Sequence, residues 1–189
     1  MTTTTAPQTS ELAPGLAPGT WAVDETHTTV GFVVRHMMVS KVRGSFSDYT
    51  ASVTIADDPL ASQLSAMVQL ASVNTGNDDR DAHLRNNDFF DVENHPTMEL
   101  SSTGLEVADG DLVLHTDLTI KGVTRPVDFA LEFHGVGEDP WGGTRAGFSA
   151  SAEIDRTDFG IEWNAPLDKG GLLVGNKVTI ELEVELLKA

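Results

Sequence analysis

Alternating apolar and polar residues near the C-terminus constrain the fold of this chain more than any other feature. The apolar positions are Val178, Ile180, Leu182, Val184 and Leu186, and the polar positions between them are Thr179, Glu181, Glu183 and Glu185. A period of two residues directs one set to each face of a β-strand, so that one face is buried and the other is in water. The same alternation occurs in residues 30–38, 112–120, 127–134 and 146–154. We therefore predict an all-β, antiparallel fold of about eight or nine strands.

A short helix is predicted in residues 77–87. Asn77 is a favourable N-cap, and the carboxylates of Asp78, Asp79 and Asp81 suit the positive end of a helix. Alternation alone does not distinguish a β-barrel from a β-sandwich. Small residues on the inward faces favour a barrel with an internal space, whereas full interlocking of small and large residues would leave none. These small residues are Ala66, Ala146, Ala150 and Ala152.

Composition and charge bound the function. The chain has 189 residues, enough for one domain with a buried core, no cysteine and a net charge of −17. An acidic surface repels nucleic acid and anionic lipid headgroups, so we expect no nucleic-acid partner and no stable membrane insertion. Residues 1–18 are rich in Thr, Ala and Pro and are predicted to be a disordered tail before a domain of residues 19–189. The tail lacks the pattern of a signal peptide, so a cytoplasmic location is expected.

Five segments resemble the YceI-like family in their order and spacing. They are GTWAVDETHTTVGFVVRHMMVSKVRGSF, SVNTGNDDRDAHLRNNDFFDVENHPTMELSS, LTIKGVTRPVDF, FSASAEIDRTDFGI and VGNKVTIELEVEL. The resemblance implies an extended, lipocalin-like antiparallel β-barrel of about eight strands, with a helix near one end. It also implies a protein that encloses long apolar chains, chiefly polyisoprenoids and isoprenoid quinones. Many members of the family are exported, whereas the N-terminal pattern here predicts no signal sequence.

Two groups of residues are candidate ligand contacts. The inward apolar faces supply the first group: Phe32, Val34, Leu114, Phe129, Leu131, Phe133 and Phe148. His36 shares the strand face of Val34, where its imidazole could hold a quinone carbonyl or a phosphate oxygen, or could instead be satisfied by a backbone carbonyl. The long connection after residue 72 supplies the second group: Arg80, His83, Leu84, Phe89 and Phe90. Long connections inside compact domains often carry function.

The second group also has a structural interpretation. Arg80 could pair with a neighbouring aspartate and fix the loop. Leu84, Phe89 and Phe90 could form a lid over a barrel opening, or could anchor the connection to the core. His83 is the better candidate for a headgroup contact, because it lies in a segment that matches the family.

Three functions remain open. The first is a non-enzymatic protein that binds and carries a polyisoprenoid, a prenyl diphosphate or an isoprenoid quinone, without a cofactor. The second is a metal-dependent hydrolase or isomerase that uses the aspartates and histidines of residues 78–95, although no compact motif such as HExxH is present. The third is a stress-related interaction module with a fully packed barrel. A homodimer formed through an exposed edge of the terminal strand is a further hypothesis.

Overall fold

The fold is taken from a computed structural model that describes residues 12–189. Its strands are β1 (Gly19–Val23), β2 (Thr29–His36), β3 (Ser40–Phe46), β4 (Tyr49–Ile55), β5 (Gln63–Gln69), β6 (Val73–Asn74), β7 (Thr97–Ala108), β8 (Asp111–Ile120), β9 (Val123–Glu138), β10 (Thr144–Asp155) and β11 (Val174–Lys188). The α-helix α1 is Asp78–Arg85, and the 3₁₀ helices are Pro59–Ala61, Leu70–Ser72 and Arg156–Phe159. Among the described residues, no helix has both the length and the apolar character needed to cross a membrane.

Eight strands form a closed antiparallel barrel. Their order is β1-β4-β5-β7-β8-β9-β10-β11, and pairing of β11 with β1 closes the ring. β11 also pairs with β2, so that Leu186 lies opposite Val23 in β1 and Glu183 lies opposite Thr29 in β2. β1 and β2 thus follow the same side of β11 on either side of a bend at residues 24–28. The predicted all-β barrel is confirmed, and the terminal strand is paired on both sides rather than exposed at an edge.

The antiparallel register defines two ends of the barrel. The helix end carries α1, the β2–β3 turn and the β10–β11 connection (residues 156–173). The N-terminal end carries residues 12–18 and the β4–β5 and β9–β10 turns. Two inward side chains can therefore share a strand face and still lie at opposite ends of the barrel.

The predicted helix forms at the helix end, with the predicted cap. The side chain of Asn77 accepts a hydrogen bond from the backbone N–H of Arg80 at 2.9 Å. Asp81 is buried and accepts hydrogen bonds from the backbone N–H of Thr75 at 2.9 Å and from its hydroxyl at 2.5 Å. These bonds attach α1 to the segment that precedes it.

The helix end is filled by packed side chains. Its buried cluster includes Phe89, Ile120, Ile154, Phe159 and Ile161, with Leu84, Phe90 and Trp163 packed against it. Arg156 is only 4% exposed, and its guanidinium donates to the carbonyl oxygens of Ile161 at 2.8 Å, Trp163 at 2.9 Å and Gly175 at 2.9 Å. Burial lowers the pKa of Arg156. This side chain ties the β10–β11 connection to the start of β11.

Residues 12–17 cover the N-terminal end. Ala13 is buried, and Leu16 packs against the core cluster that contains Trp21. The indole Nε1–H of Trp21 donates to the carbonyl oxygen of Ala17 at 3.0 Å. Of the tail predicted for residues 1–18, residues 1–11 lie outside the described residues, and residues 12–17 contact the barrel.

Candidate functional site: an apolar cavity in the barrel

An apolar cavity of about 210 Å³ lies inside the barrel. Leu12, Leu16 and Leu60 line it at the N-terminal end, and Tyr49 and Phe129 line its inner part. Four aromatic side chains packed at the helix end are absent from its lining: Phe89, Phe90, Phe159 and Trp163. The cavity therefore ends at packed residues at the helix end, and Leu12, Ala13 and Leu16 form part of its lining at the other end.

Small inward residues create this space. Ala51 and Ala66 lie directly opposite each other in β4 and β5, and both line the cavity together with Ala150 of β10. A methyl group fills little of the volume between strands, so neighbouring alanines leave room. The internal space expected from Ala66 and Ala150 is present, whereas Ala146 and Ala152 belong to core clusters and do not line it. This cavity counts against the fully packed barrel.

The polar groups of the lining are few and uncharged. They are Thr28, Tyr49, Ser62, Gln63 and Ser149. The hydroxyl of Tyr49 donates to the carbonyl oxygen of Thr28 at 3.1 Å, and burial raises the pKa of Tyr49. The Ser62 hydroxyl accepts from the backbone N–H of Ala56 at 3.2 Å. The cavity thus presents apolar surface, with Ser62 and Gln63 near its covered end.

Five of the predicted contacts line the cavity: Leu114, Phe129, Leu131, Phe133 and Phe148. All five lie on the inward faces of β8, β9 and β10. Phe129 is 1% exposed, and Phe133 and Phe148 pack with their ring centroids 5.1 Å apart. Their position in the cavity is established by the structure, and their contact with a ligand remains a prediction.

Three predicted contacts on β2 do not line the cavity: Phe32, Val34 and His36. The ring of Phe32 covers Gly44, where an added Cβ would lie 2.3 Å from the ring, and packs against Phe46. His36 is the last residue of β2 and lies at the turn of the helix end. The interpretation of His36 as a polar group within the apolar tunnel does not fit this position, because alternation predicts a strand face and not a depth along the barrel.

The connection residues also lie at the helix end, outside the cavity lining. They are Arg80, His83, Leu84, Phe89 and Phe90. Arg80 donates to the hydroxyl of Thr75 at 2.7 Å and to its carbonyl oxygen at 2.9 Å, rather than to a neighbouring aspartate. His83 Nε2 lies 2.9 Å from Asp88 Oδ2, and its ring packs edge-on against Phe89 and Trp163. These contacts fit anchoring of the connection better than a site for a ligand head group.

The acidic connection does not converge on a metal site. Within the described residues, the only three His, Asp or Glu side chains whose ligand atoms come close together are Asp24, His27 and Glu185. The guanidinium of Arg145 already contacts the carboxylates of Asp24 and Glu185, and lies 2.8 Å from Asp139. The arrangement is an ion-pair cluster at the β1–β2 bend, and it gives no support to a metal-dependent enzyme.

Protonation within this cluster has a defined direction. Hydrogen bonds from His27 and Arg145 hold the pKa of Asp24 well below its usual range. The hydrogen bond to Asp24 raises the pKa of His27, and hydrogen bonds to the carboxylates raise the pKa of Arg145. Because the pKa of Asp24 is lowered, its contribution to stability is present above about pH 4 and is lost as the pH falls through its folded-state pKa. The contribution of His27 has the opposite sense and is lost as the pH rises through its raised pKa.

Sequence reasoning missed the covered end of the cavity. Leu12 and Leu16 fall within the predicted tail, and Leu60 falls in the 3₁₀ helix between β4 and β5. A signal was available, because two leucines four residues apart interrupt an otherwise small and polar N-terminal segment. Ala51 was also missed, although it lies between Tyr49 and Val53 on the inward face of β4.

Comparison with known proteins places the chain in a family. The sequence profile of the YceI-like domain matches residues 21–186. A UPF0312 protein of Staphylococcus epidermidis is 36% identical over 164 residues, covering 86% of this chain and 94% of that protein. Protein YceI of Escherichia coli is 36% identical over 137 residues, covering 72% of each chain.

Solved structures show the same fold. The Campylobacter jejuni YceI protein has a TM-score of 0.69 and 29% identity, with 82% of this chain and 90% of that chain covered. A polyisoprenoid binding domain from Saccharophagus degradans has a TM-score of 0.66 and 17% identity, with coverage of 92% and 100%. The family profile spans nearly the whole barrel, and the chain therefore belongs to the YceI-like family.

Proposed function

We propose that this protein binds a long apolar chain inside the barrel, and that it carries or sequesters a polyisoprenoid or an isoprenoid quinone. The observation that carries the proposal is the internal cavity, whose lining is almost wholly apolar and contains no charged side chain among the described residues. Such concave apolar sites are typical of small-molecule binding. The description of the Saccharophagus degradans domain as polyisoprenoid binding supports the same class of ligand.

The cavity volume limits the length of chain that fits. A cavity of about 150 Å³ in another protein takes up benzene, so the 210 Å³ here corresponds to roughly eight carbon atoms. Burial of a methylene contributes about 0.8 kcal/mol, which gives about 6 kcal/mol for such a segment. Lost translational and rotational freedom costs at least about 4 kcal/mol. Tight binding therefore requires that more of the chain be enclosed.

Residues 12–17 are the part of the lining best suited to move. They are attached by the Trp21–Ala17 hydrogen bond and by the apolar contacts of Leu16, whereas every strand of the barrel is bonded to two neighbours. Their displacement would lengthen the cavity through the N-terminal end. We infer that a long ligand enters there and displaces this segment.

The covered end favours an uncharged head group. Ser62 and Gln63 supply hydroxyl and amide groups there. No lysine or arginine lines the cavity, and none occurs in residues 1–34. Arg145 is already engaged by three carboxylates. A quinone or an isoprenoid alcohol therefore suits the site better than a prenyl diphosphate.

Extraction of the purified protein with organic solvent, followed by mass spectrometry, tests this function. We expect protein purified without delipidation to yield a prenylated quinone or alcohol in near-stoichiometric amount. Repeated absence of a long-chain compound, together with failure of the folded protein to take one up, would overturn the proposal. Farnesol and farnesyl diphosphate, compared as competitors of a fluorescent apolar probe, test the head group. Stronger displacement by the diphosphate would overturn only that part.

A further inference from the structure

Exposed apolar side chains are concentrated at the β2–β3 turn. Met37, Met38 and Val39 are 41%, 66% and 79% exposed. Leu172 is 48% exposed in the adjoining connection, which Met37 joins by donating its N–H to the carbonyl oxygen of Leu173 at 2.8 Å. Four of the six large hydrophobic residues that are exposed in residues 12–189 lie here. Clustered exposure of this kind marks a surface that contacts an apolar partner.

The backbone conformation of this turn is unfavourable for the two methionines that occupy it. Met37 and Met38 have φ of 51° and 59°, and the Val39 N–H donates to the carbonyl oxygen of His36 at 3.1 Å. Turns with two successive positive φ values favour Asn-Gly or Asp-Gly, and this chain uses Asp109 and Gly110 at its β7–β8 turn. Two methionines are therefore strained as well as exposed. Backbone strain that is not offset by packing of the side chains is found at functional sites.

Two cations flank the turn in an arrangement that is unfavourable in water. Arg35 and Lys41 lie directly opposite each other in β2 and β3, and both are exposed. Like charges directly opposite each other destabilise a strand pair. Neither forms an ion pair within the described part of the chain. An anion held between them would remove this repulsion.

The local charge differs from the charge of the whole chain. Residues 26–47 contain no aspartate or glutamate, although the net charge is −17. In the adjoining connection, Asp158, Glu162 and Asp168 outnumber Arg156 and Lys169 by one charge, and Arg43 is paired with Glu181 at 2.8 Å. At physiological ionic strength, exposed charges more than about 8 Å away are largely screened. Within an acidic protein, the hairpin of β2 and β3 that carries the turn is itself cationic, because its charged residues are Arg35, Lys41 and Arg43.

We propose that the β2–β3 turn docks on the surface of a bilayer that contains anionic lipid. Met37, Met38 and Val39 enter the acyl region, and Arg35 and Lys41 contact headgroup phosphates. The apolar side chains match the acyl region of such a surface, and the flanking cations match its anionic headgroups. The turn lies at the helix end, away from the cavity, so this docking does not depend on the identity of the ligand.

Flotation of the full chain with vesicles tests this proposal. We expect binding in 150 mM salt to vesicles of phosphatidylglycerol and phosphatidylcholine, and none to phosphatidylcholine alone. Met37→Asn combined with Met38→Gly supplies the residues that the turn prefers, so the fold is retained, and binding should fall at least tenfold. Lys41→Ser should weaken binding about fivefold, since each cation near the surface contributes about that factor.

Two matched controls test whether the loss of vesicle binding is specific to the β2–β3 turn. Trp141→Ser removes an exposed apolar side chain at the N-terminal end, where Trp141 is 86% exposed, and Lys188→Ser removes an exposed cation at that end. Both should bind vesicles as the parent does. Absence of vesicle binding by the parent, or equal binding by the Met37→Asn, Met38→Gly variant, would overturn the proposal. Self-association of the parent that this variant abolishes would identify a second copy, not a bilayer, as the partner.

Discussion

Filling the cavity from its wall should remove ligand binding without unfolding the barrel. Ala66 lies on β5, faces Ala51 across the strand pair and lines the cavity. Ala66→Phe adds one phenyl ring. Because a benzene molecule fits a cavity of about 150 Å³, this ring removes roughly two thirds of the 210 Å³ available. We expect the affinity for an apolar chain to fall at least tenfold.

The effect of this substitution on stability should be small. Burial of the added ring contributes about 1.5–3 kcal/mol, and strain from imperfect packing costs about 1–3 kcal/mol. The two terms oppose each other, so the free energy of unfolding should change by no more than about 2 kcal/mol. Ala130→Phe is the matched control. Ala130 is exposed on β9, so this substitution adds the same ring to the outer face of the barrel.

Titration with a fluorescent apolar probe, together with urea unfolding, measures both effects. Ala130→Phe should bind the probe as the parent does. The contradicting result is an Ala66→Phe variant that unfolds like the parent, binds the probe with unchanged affinity and yields the same extracted lipid. In that case the ligand does not occupy this cavity. That result would refute the claim that loss of cavity volume lowers the affinity for the ligand.

Three further predictions concern the core, the covering segment and the ion-pair cluster. Phe129→Ala should lower the free energy of unfolding in urea by about 3–5 kcal/mol, because Phe129 is 1% exposed; a loss below about 1 kcal/mol would contradict its place in the core. Leu16→Ser should speed release of bound probe in stopped-flow measurements, and a release rate equal to that of the parent would argue against a covering role for residues 12–17. Arg145→Gln should be less stable than the parent at neutral pH, and the difference should shrink as the pH falls below about 4 and Asp24 is protonated; a difference independent of pH would contradict the pairing.

Local patterns predicted the strands and the helix because their causes are local. Alternation in β11 follows from which face each side chain occupies, and the structure has those strands in one closed barrel. The cap at Asn77 depends only on a side chain and an N–H three residues away. Such features need no knowledge of distant parts of the chain.

The site was less predictable because its geometry depends on distant residues. His36 is on the predicted face but beyond the cavity, since its depth is determined by the register of β2 against β11. His83 packs against Trp163, which is far away in sequence. The contribution of residues 12–17 depends on a space formed by strands elsewhere in the chain. Alternation therefore identified the apolar wall on β8, β9 and β10, but not where the cavity ends.

A crystal structure of the protein with its co-purified or added isoprenoid tests the central claim most directly. We expect continuous ligand density between Ala66 and Phe129 that extends through the N-terminal end, with residues 12–17 displaced from the positions described above. Density among His83, Phe89 and Trp163 at the helix end, with the cavity unfilled, would contradict the assignment of the cavity as the binding site.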